Sequence, residues 1–288
     1  MVLACVDITA GSCYLVNMIK LVTALVYIAA IIFLGGCNPE SQPQSASHPP
    51  NIEGIRITDV SPAKPQTDLI RSIKNMSFTC YKFEIPAENF QVFEEIWPLL
   101  TDEQLFFNNQ KAFAANAFVL GFGRVEIWDI IAEKLKQAGG ENIVETTLLF
   151  SDDQELDFQA MTLFKPREIL YIDTDFSMQR FDASPGRLEL RLKAKKLHDR
   201  RGVCNFYGKI MHVPKENLLP GLPEHLKAPE FDFRVTGFAA QMSPGDFLLL
   251  SPGRYIGDSK SLTNVFFAKE GKEPKLRVYM LFCSGIVD

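Results

Sequence analysis

Phe78-Thr79-Cys80-Tyr81-Lys82-Phe83-Glu84-Ile85 is the stretch on which the fold turns. Its apolar and polar residues alternate with period two and it stops at Pro86, the pattern of a strand with two distinct faces. Phe90, Phe93, Ile96, Trp97 and Leu100 then recur at helical spacing. That spacing predicts a helix over 87–99, stopped near Pro98. Leu105-Phe106-Phe107 is short and apolar, and 113–122 reads as a second strand-like run punctuated by Gly123. Val125, Trp128, Ile131, Ala132 and Leu135 mark a second helix that ends at Gly139-Gly140, a good C-terminal signal. Residues 143–150 read as a strand. The order is β-α-β-β-α-β, the split βαβ arrangement, with two amphipathic helices buried on one face of a small sheet.

After Ser151 the helical period disappears. Strands are predicted at 155–164, 169–174, 187–194, 203–213, 231–241, 246–250, 262–268 and 276–284. Turn signals such as Ser184-Pro185-Gly186, Ser243-Pro244-Gly245 and Ser251-Pro252-Gly253 separate them. Short strands with regular punctuation imply antiparallel pairing. The expected fold is therefore α+β: a βαββαβ-like unit within 54–150, followed by a mostly antiparallel β region over 151–288, the two packed as one body. The predicted core is Phe83, Phe93, Trp97, Phe118, Trp128, Ile131, Leu135, Leu190, Phe238, Leu249, Val278 and Leu281.

Composition sets outer bounds. Hydrophobic residues make up 47% of the 288-residue chain, 23 of them Phe, which supplies a substantial core. The net charge of −5 argues against nucleic acid as a partner, since phosphate binding needs a cationic surface.

The N-terminal region carries a second signal. Leu34-Gly35-Gly36-Cys37 closes the apolar run 21–33 and opens onto Asn38-Pro39-Glu40-Ser41 and a Pro-, Ser- and Gln-rich tract. This resembles a bacterial lipobox, with a branched apolar residue, two small residues, and then the cysteine that receives the lipid. The run of about 13 residues suits the h-region of a signal peptide better than a spanning helix, which needs about 20. The resemblance implies a signal peptide over 1–36, lipidation of Cys37, and a membrane-tethered protein outside the cytoplasm. Residues 1–17 hold Asp7 and no Lys or Arg, whereas Met18-Ile19-Lys20 suits a signal-peptide start; translation from Met18 is the expectation. A transmembrane anchor over 15–34 is the alternative. Residues 37–53 read as a disordered tether. Asn38 after the cysteine favours the outer membrane by resemblance to lipoprotein sorting rules.

Chemistry-bearing residues are few. His48, His198, His212 and His225 show no zinc spacing. Gly121-Phe122-Gly123 lacks the third glycine of a dinucleotide fingerprint, so its glycines are read as letting a strand turn into a helix. Asp152, Asp153, Glu155 and Asp157 lack the loop glycine of a calcium site and read as a solvated hairpin turn. No cofactor is expected. Cys80, Cys204 and Cys283 are too few for a disulfide framework; they read as buried thiols, with one pair free to bridge in an oxidising compartment. Arg187, Arg191, Lys193 and Lys195 alternate with Leu188, Leu190, Leu192 and Ala194. Either this is a solvated sheet face, or it is a basic patch that meets an anionic surface.

Ser243-Pro244-Gly245-Asp246-Phe247-Leu248-Leu249-Leu250, Tyr255-Ile256-Gly257-Asp258, Leu262-Thr263-Asn264-Val265-Phe266-Phe267 and the closing run 276–288 together resemble the end of a bacterial secretin β-domain. Lys260 and Thr263 stand where that family has Pro and Gly, and Ser284-Gly285 replaces Thr-Pro. The two-helix unit upstream is similar to the ring-building modules that precede a secretin barrel. The resemblance implies side-by-side self-association, for which 105–107 and the Phe-rich 90–100 offer aromatic surface; alternatively the C-terminal region of the same chain covers them.

No convergent nucleophile, base and acid can be read from the chain. The expectation is a non-catalytic envelope lipoprotein: a scaffold, assembly or interaction module, with a relation to secretins implied by the resemblance. The alternative is a periplasmic hydrolase or carbohydrate-binding enzyme. A deep pocket gathering Asp173, Asp175 and Asp182 would favour the alternative, and a shallow surface with exposed strand edges would favour the scaffold.

Overall fold

The chain divides into two units, 1–51 and 52–288. A computed structural model describes residues 76–255 and 260–287, all in the second unit. The signal segment, Cys37, the tether and residues 256–259 lie outside the described residues.

In chain order the elements begin β1 (Met76–Pro86), α1 (Phe90–Glu94), β2 (Leu105–Phe107), α2 (Gln110–Ala115), β3 (Phe118–Arg124), α3 (Trp128–Gln137) and β4 (Glu141–Phe150). They continue β5 (Glu155–Leu163), β6 (Arg167–Ile172), β7 (Met178–Ala183), β8 (Gly186–Lys196), β9 (Cys204–Pro214), β10 (Phe231–Met242), β11 (Asp246–Pro252), α4 (Leu262–Phe267), β12 (Ala268–Lys269) and β13 (Lys275–Ile286). The class is α+β dominated by antiparallel strands, as expected.

One sheet has the order β3-β11-β13-β1-β4, with β12 added to β13. The second runs β2-β10-β9-β8-β5, and β6 with β7 forms a separate hairpin. Every pair of strands in these sheets is antiparallel. The first sheet draws its strands from both halves of the chain: β11 and β13 sit between β3 and β1. The short β2 leaves this sheet altogether and pairs with β10, Leu105 opposite Ala240.

Alternation along β1 explains the layering. Tyr81, Phe83 and Ile85 face a core shared with Phe93, Ile96, Trp128, Ile131 and Leu135, so α1 and α3 cover one side of the first sheet. Met76, Phe78 and Cys80 face the other side and join Leu190, Leu192, Phe206 and Ile210 of the second sheet. Phe78 stacks on Phe206 across the gap, ring centroids 4.4 Å apart. The described residues of the second unit are thus three layers deep: helices, sheet, sheet. The hairpin closes one end, with Phe181 stacked on Phe231 at 4.0 Å. Every predicted core residue is buried except Trp97, which is half-buried.

Three local readings are corrected. The helix predicted over 87–99 keeps its buried face but is broken: a short 3-10 turn, α1, and a second 3-10 turn at Trp97–Leu99. Pro98 explains the break, since its ring cannot continue an α-helix past the carbonyl four residues back. The predicted strand over 113–122 starts only at Phe118; before it lies α2, capped by the Asn109 side chain accepting from the Ala112 amide at 3.1 Å. Ala117, at φ 60, ends that turn. The predicted strand over 262–268 is mostly α4, capped by the Ser261 hydroxyl accepting from the Asn264 amide at 3.2 Å. A short apolar run does not by itself tell a buried strand from a buried helix. In α4 all six residues are buried.

Candidate functional site

β4 is the last strand of the first sheet. It pairs with β1 on one side, and among the described residues no strand pairs with its other side. An open edge presents a row of unpaired amides and carbonyls that can template another strand. Proteins blunt such edges with Lys, Pro, covers or marked shortness. β4 is ten residues long, Glu141 to Phe150, and contains neither Lys nor Pro. It also exposes apolar side chains: Ile143 is 41% exposed, Val144 36% and Leu149 54%. A bulge opposite Lys82 and Phe83 leaves Ile143 as the extra residue.

The other edges of the two larger sheets are protected. β3 is bridged by Thr101, whose amide and carbonyl both bond Phe122 at 2.9 Å. β2 has three residues. β5 carries a bulge between Gln159 and Met161, where the Ala160 carbonyl turns inward to accept from Lys82 Nζ at 3.0 Å and the Tyr279 hydroxyl at 3.4 Å. That enclosure has an electrostatic consequence. Burial pushes the Lys82 amine down to about 8, helped by the neighbouring Arg277 guanidinium and opposed by Glu84.

The alternating basic strand is β8, and its four cations are placed on the outer face of the second sheet. Arg191 forms a bidentate pair with Asp157 at 2.7 and 3.0 Å and a third bond to Glu230 at 2.8 Å. Lys193 pairs with Asp153 at 2.8 Å. Arg187 lies 3.7 Å from Glu189. Lys195 is exposed. Lys209 of β9 continues the lattice with Asp232 at 2.8 Å. Carboxylates therefore interleave with the cations. Glu189, buried in this lattice, has its carboxyl pushed up by desolvation and then by Asp157.

A cavity of about 240 Å³ opens between the β6–β7 hairpin, the end of α2 and the start of α4. Tyr171, Met178, Phe267 and Leu276 supply apolar walls, while Asn116 and Arg254 supply polar groups. Among the described residues no carboxylate lines it. The Asn116 side chain is committed to the fold: it donates to the carbonyls of Ala112 and Ile172 and accepts from the Ile172 amide at 2.8 Å. Asp173, Asp175 and Asp182 all sit on the hairpin but are not gathered together. Asp173 accepts from the Thr174 amide, Asp175 caps Ser177, and Asp182 pairs with Arg180 at 3.0 Å.

The remaining sequence candidates are structural. Gly121 and Gly123 keep negative φ, and they serve close packing instead of a turn: an added Cβ would lie 2.6 Å from Leu100 and 2.3 Å from the Phe247 ring. Asp152 accepts from the Lys196 amide and so belongs to the β4–β5 turn. His212 is buried, its Nε2 2.9 Å from the Ser184 carbonyl, and His198 and His225 are exposed. Among the described residues no group of His, Cys, Asp and Glu is placed to hold a metal. Cys80, Cys204 and Cys283 are free thiols and fully buried. Of the aromatic surface offered for self-association, Phe90, Phe93 and Leu105 are buried within the chain, and Phe106 is 58% exposed.

Sequence reasoning missed the open β4 edge. Its trace was present in Glu145-Thr146-Thr147, which is polar on both faces.

Comparison with known proteins adds little. No protein-family model matches the chain, and no curated protein matches it. A solved structure with some likeness is the β-barrel secretin domain of InvG from the Salmonella SPI-1 injectisome. It is 11% identical with a TM-score of 0.21; the match covers 74% of this chain and 63% of that one.

Proposed function

We propose that this protein is a lipid-anchored lipoprotein of the cell envelope that acts as a scaffold or assembly module, non-catalytic in itself. Cys37 carries the anchor in this reading, the body stands outside the cytoplasm, and the outer membrane is its expected location. The observation that carries the interaction role is the edge of β4, unpaired among the described residues and ten residues long, with Ile143, Val144 and Leu149 exposed along it. Such an edge takes an extended segment of a partner as an additional strand, with main-chain bonds giving affinity and alternate side chains giving selectivity. A relation to secretins belongs to this reading through the resemblance of 243–250 and 276–288 alone.

Two measurements test it. Cys37→Ala should release the protein from membranes or leave an uncleaved precursor; unchanged fractionation and mass in that variant would remove the anchor. For the edge, a photo-crosslinking residue is placed at Glu145 on β4 and, as a control, at Gln137 on α3, in cells. A discrete adduct from Glu145 and none from Gln137 is expected. Absence of an adduct at Glu145 would end the edge reading whatever the fate of the anchor.

A further inference from the structure

We propose that Cys204 and Cys283 are a disulfide site that staples the two sheets to each other, while Cys80 stays a free thiol. The geometry begins at the crossover between the sheets. β10 ends at Met242, which lies directly opposite Cys204 of β9. Three residues later the Gly245 amide donates to the Cys283 carbonyl of β13 at 2.9 Å. One tight turn, 242–246, thus ties the strand position beside Cys204 to the strand position of Cys283. Both side chains point into the same inter-sheet core, and both are fully buried. The neighbouring Cys204 thiol, then burial, pushes the Cys283 thiol up in the reduced protein. Cys80 shares the core but lies off the turn that links the other two. It sits opposite Leu281, diagonal to Cys283, on the neighbouring strand of the same sheet. Diagonal neighbours in a sheet stand farther apart than a disulfide allows.

The chemistry balances with a disulfide as oxidant, supplied by a protein or by oxidised glutathione. A thiolate of one cysteine attacks the donor disulfide, breaking its S–S bond and releasing one donor thiol. The second cysteine then displaces the other donor thiol from the mixed disulfide, and the Cys204–Cys283 bond forms. Two protein thiols are oxidised and one donor disulfide is reduced to two thiols. Burial sets the order of events. Neither sulfur is reachable once the sheets have closed, so the bond forms during folding and is afterwards shielded from reductant. This step rests on the extracytoplasmic location proposed above, because the cytosol keeps such thiols reduced.

The test uses the full chain, unfolded and refolded in a glutathione redox buffer, then alkylated under denaturing conditions and mapped by peptide mass. The expected map shows the Cys204 and Cys283 peptides joined, two hydrogens lighter than their sum, and the alkyl group on the Cys80 peptide. The joined form should also unfold at higher urea than the reduced form. Cys80→Ala should give the same joined pair. Alkylation of all three peptides, or a bond that includes Cys80, would overturn the proposal. A second arm traps cells with acid before alkylation. A joined pair there supports the proposal and the location together. A pair that joins in the buffer but stays reduced in cells counts against the location and leaves the site standing.

Discussion

The two sheets of this protein differ in what covers them. The first lies in the middle of the molecule, with helices on one face and the second sheet on the other. Its strand β13 is buried without a break from Val278 to Cys283, so polar and apolar positions no longer alternate there. The second sheet has one covered face and one wet face. Its strand β8 alternates cleanly, Leu188, Leu190 and Leu192 inward, Arg187, Arg191 and Lys193 outward. The contrast shows that strand pattern reports the number of covered faces. A continuous apolar strand has two, and an alternating one has one. Stability should follow the same division, concentrated in the first sheet and thin on the outer face of the second.

Phe83→Ala should break the molecule hardest. The ring is fully buried between β1 and the helices, and truncating such a residue costs about 3–5 kcal/mol. Tyr207→Ala on the wet face, where the ring is 37% exposed, should cost under about 1 kcal/mol. Urea unfolding of the two variants measures both. Equal losses would dissolve the contrast between the sheets.

Next come two changes at the join between layers. Asn116→Ala removes two hydrogen bonds that tie the end of α2 to Ile172 of β6 and one to the Ala112 carbonyl within α2. Leaving those buried backbone groups unpaired costs about 1–3 kcal/mol. Gly123→Ala drives a methyl group into the Phe247 ring, and such overpacking costs about 1–3 kcal/mol. A neutral Gly123→Ala in the same assay would show that the ring has room to move and that the covered face of β3 is looser than the packing implies.

Arg191→Ala probes the wet face from its strongest point. The bidentate pair with Asp157 is only partly shielded, so its loss should cost about 1 kcal/mol after allowance for solvent screening. Added salt should narrow the gap to wild type. Lys193→Ala should be indistinguishable from wild type in urea. A large effect of Lys193→Ala would mean that the ion-pair lattice holds the sheet together, against the division drawn above.

The sequence was legible where a pattern had one meaning. Alternation at 78–85 and 187–194 named strands and their faces, and Gly139, at φ 70, ends α3 as the Gly139-Gly140 signal implied. It was not legible where an apolar run had two meanings. Leu262–Phe267 became a helix because Ser261 caps it and every side is covered, and neither fact has a period. Strand partners were illegible for a different reason. β11 and β13 enter between β3 and β1 through contacts more than a hundred residues apart, and local spacing says nothing about such pairing. The candidate site suffered most. An open edge is defined by a missing neighbour, which no residue of the strand encodes, and only the doubly polar Glu145-Thr146-Thr147 hinted at it.

The smallest expected effect concerns His212, where the covered and wet faces meet. Its strand neighbours Met211 and Val213 are buried too, and His212 itself packs against the hairpin, 5.3 Å from the Phe181 ring centroid. Burial lowers its pKa below the ordinary 6.5; the Ser184 contact and the Glu216 charge work the other way. The folded protein therefore prefers the neutral ring, while the unfolded chain titrates at the ordinary value. The sign follows from linkage. The neutral-ring contribution is complete above 6.5 and is lost as pH falls below it towards the lowered folded value, because the unfolded chain takes up the proton first. His212→Gln keeps a donor for the Ser184 carbonyl and removes the titration. Urea midpoints followed from neutral to mildly acid pH should fall more steeply for wild type than for His212→Gln. Parallel curves would place the ring in water in both states, and would move this end of β9 from the covered face to the wet one.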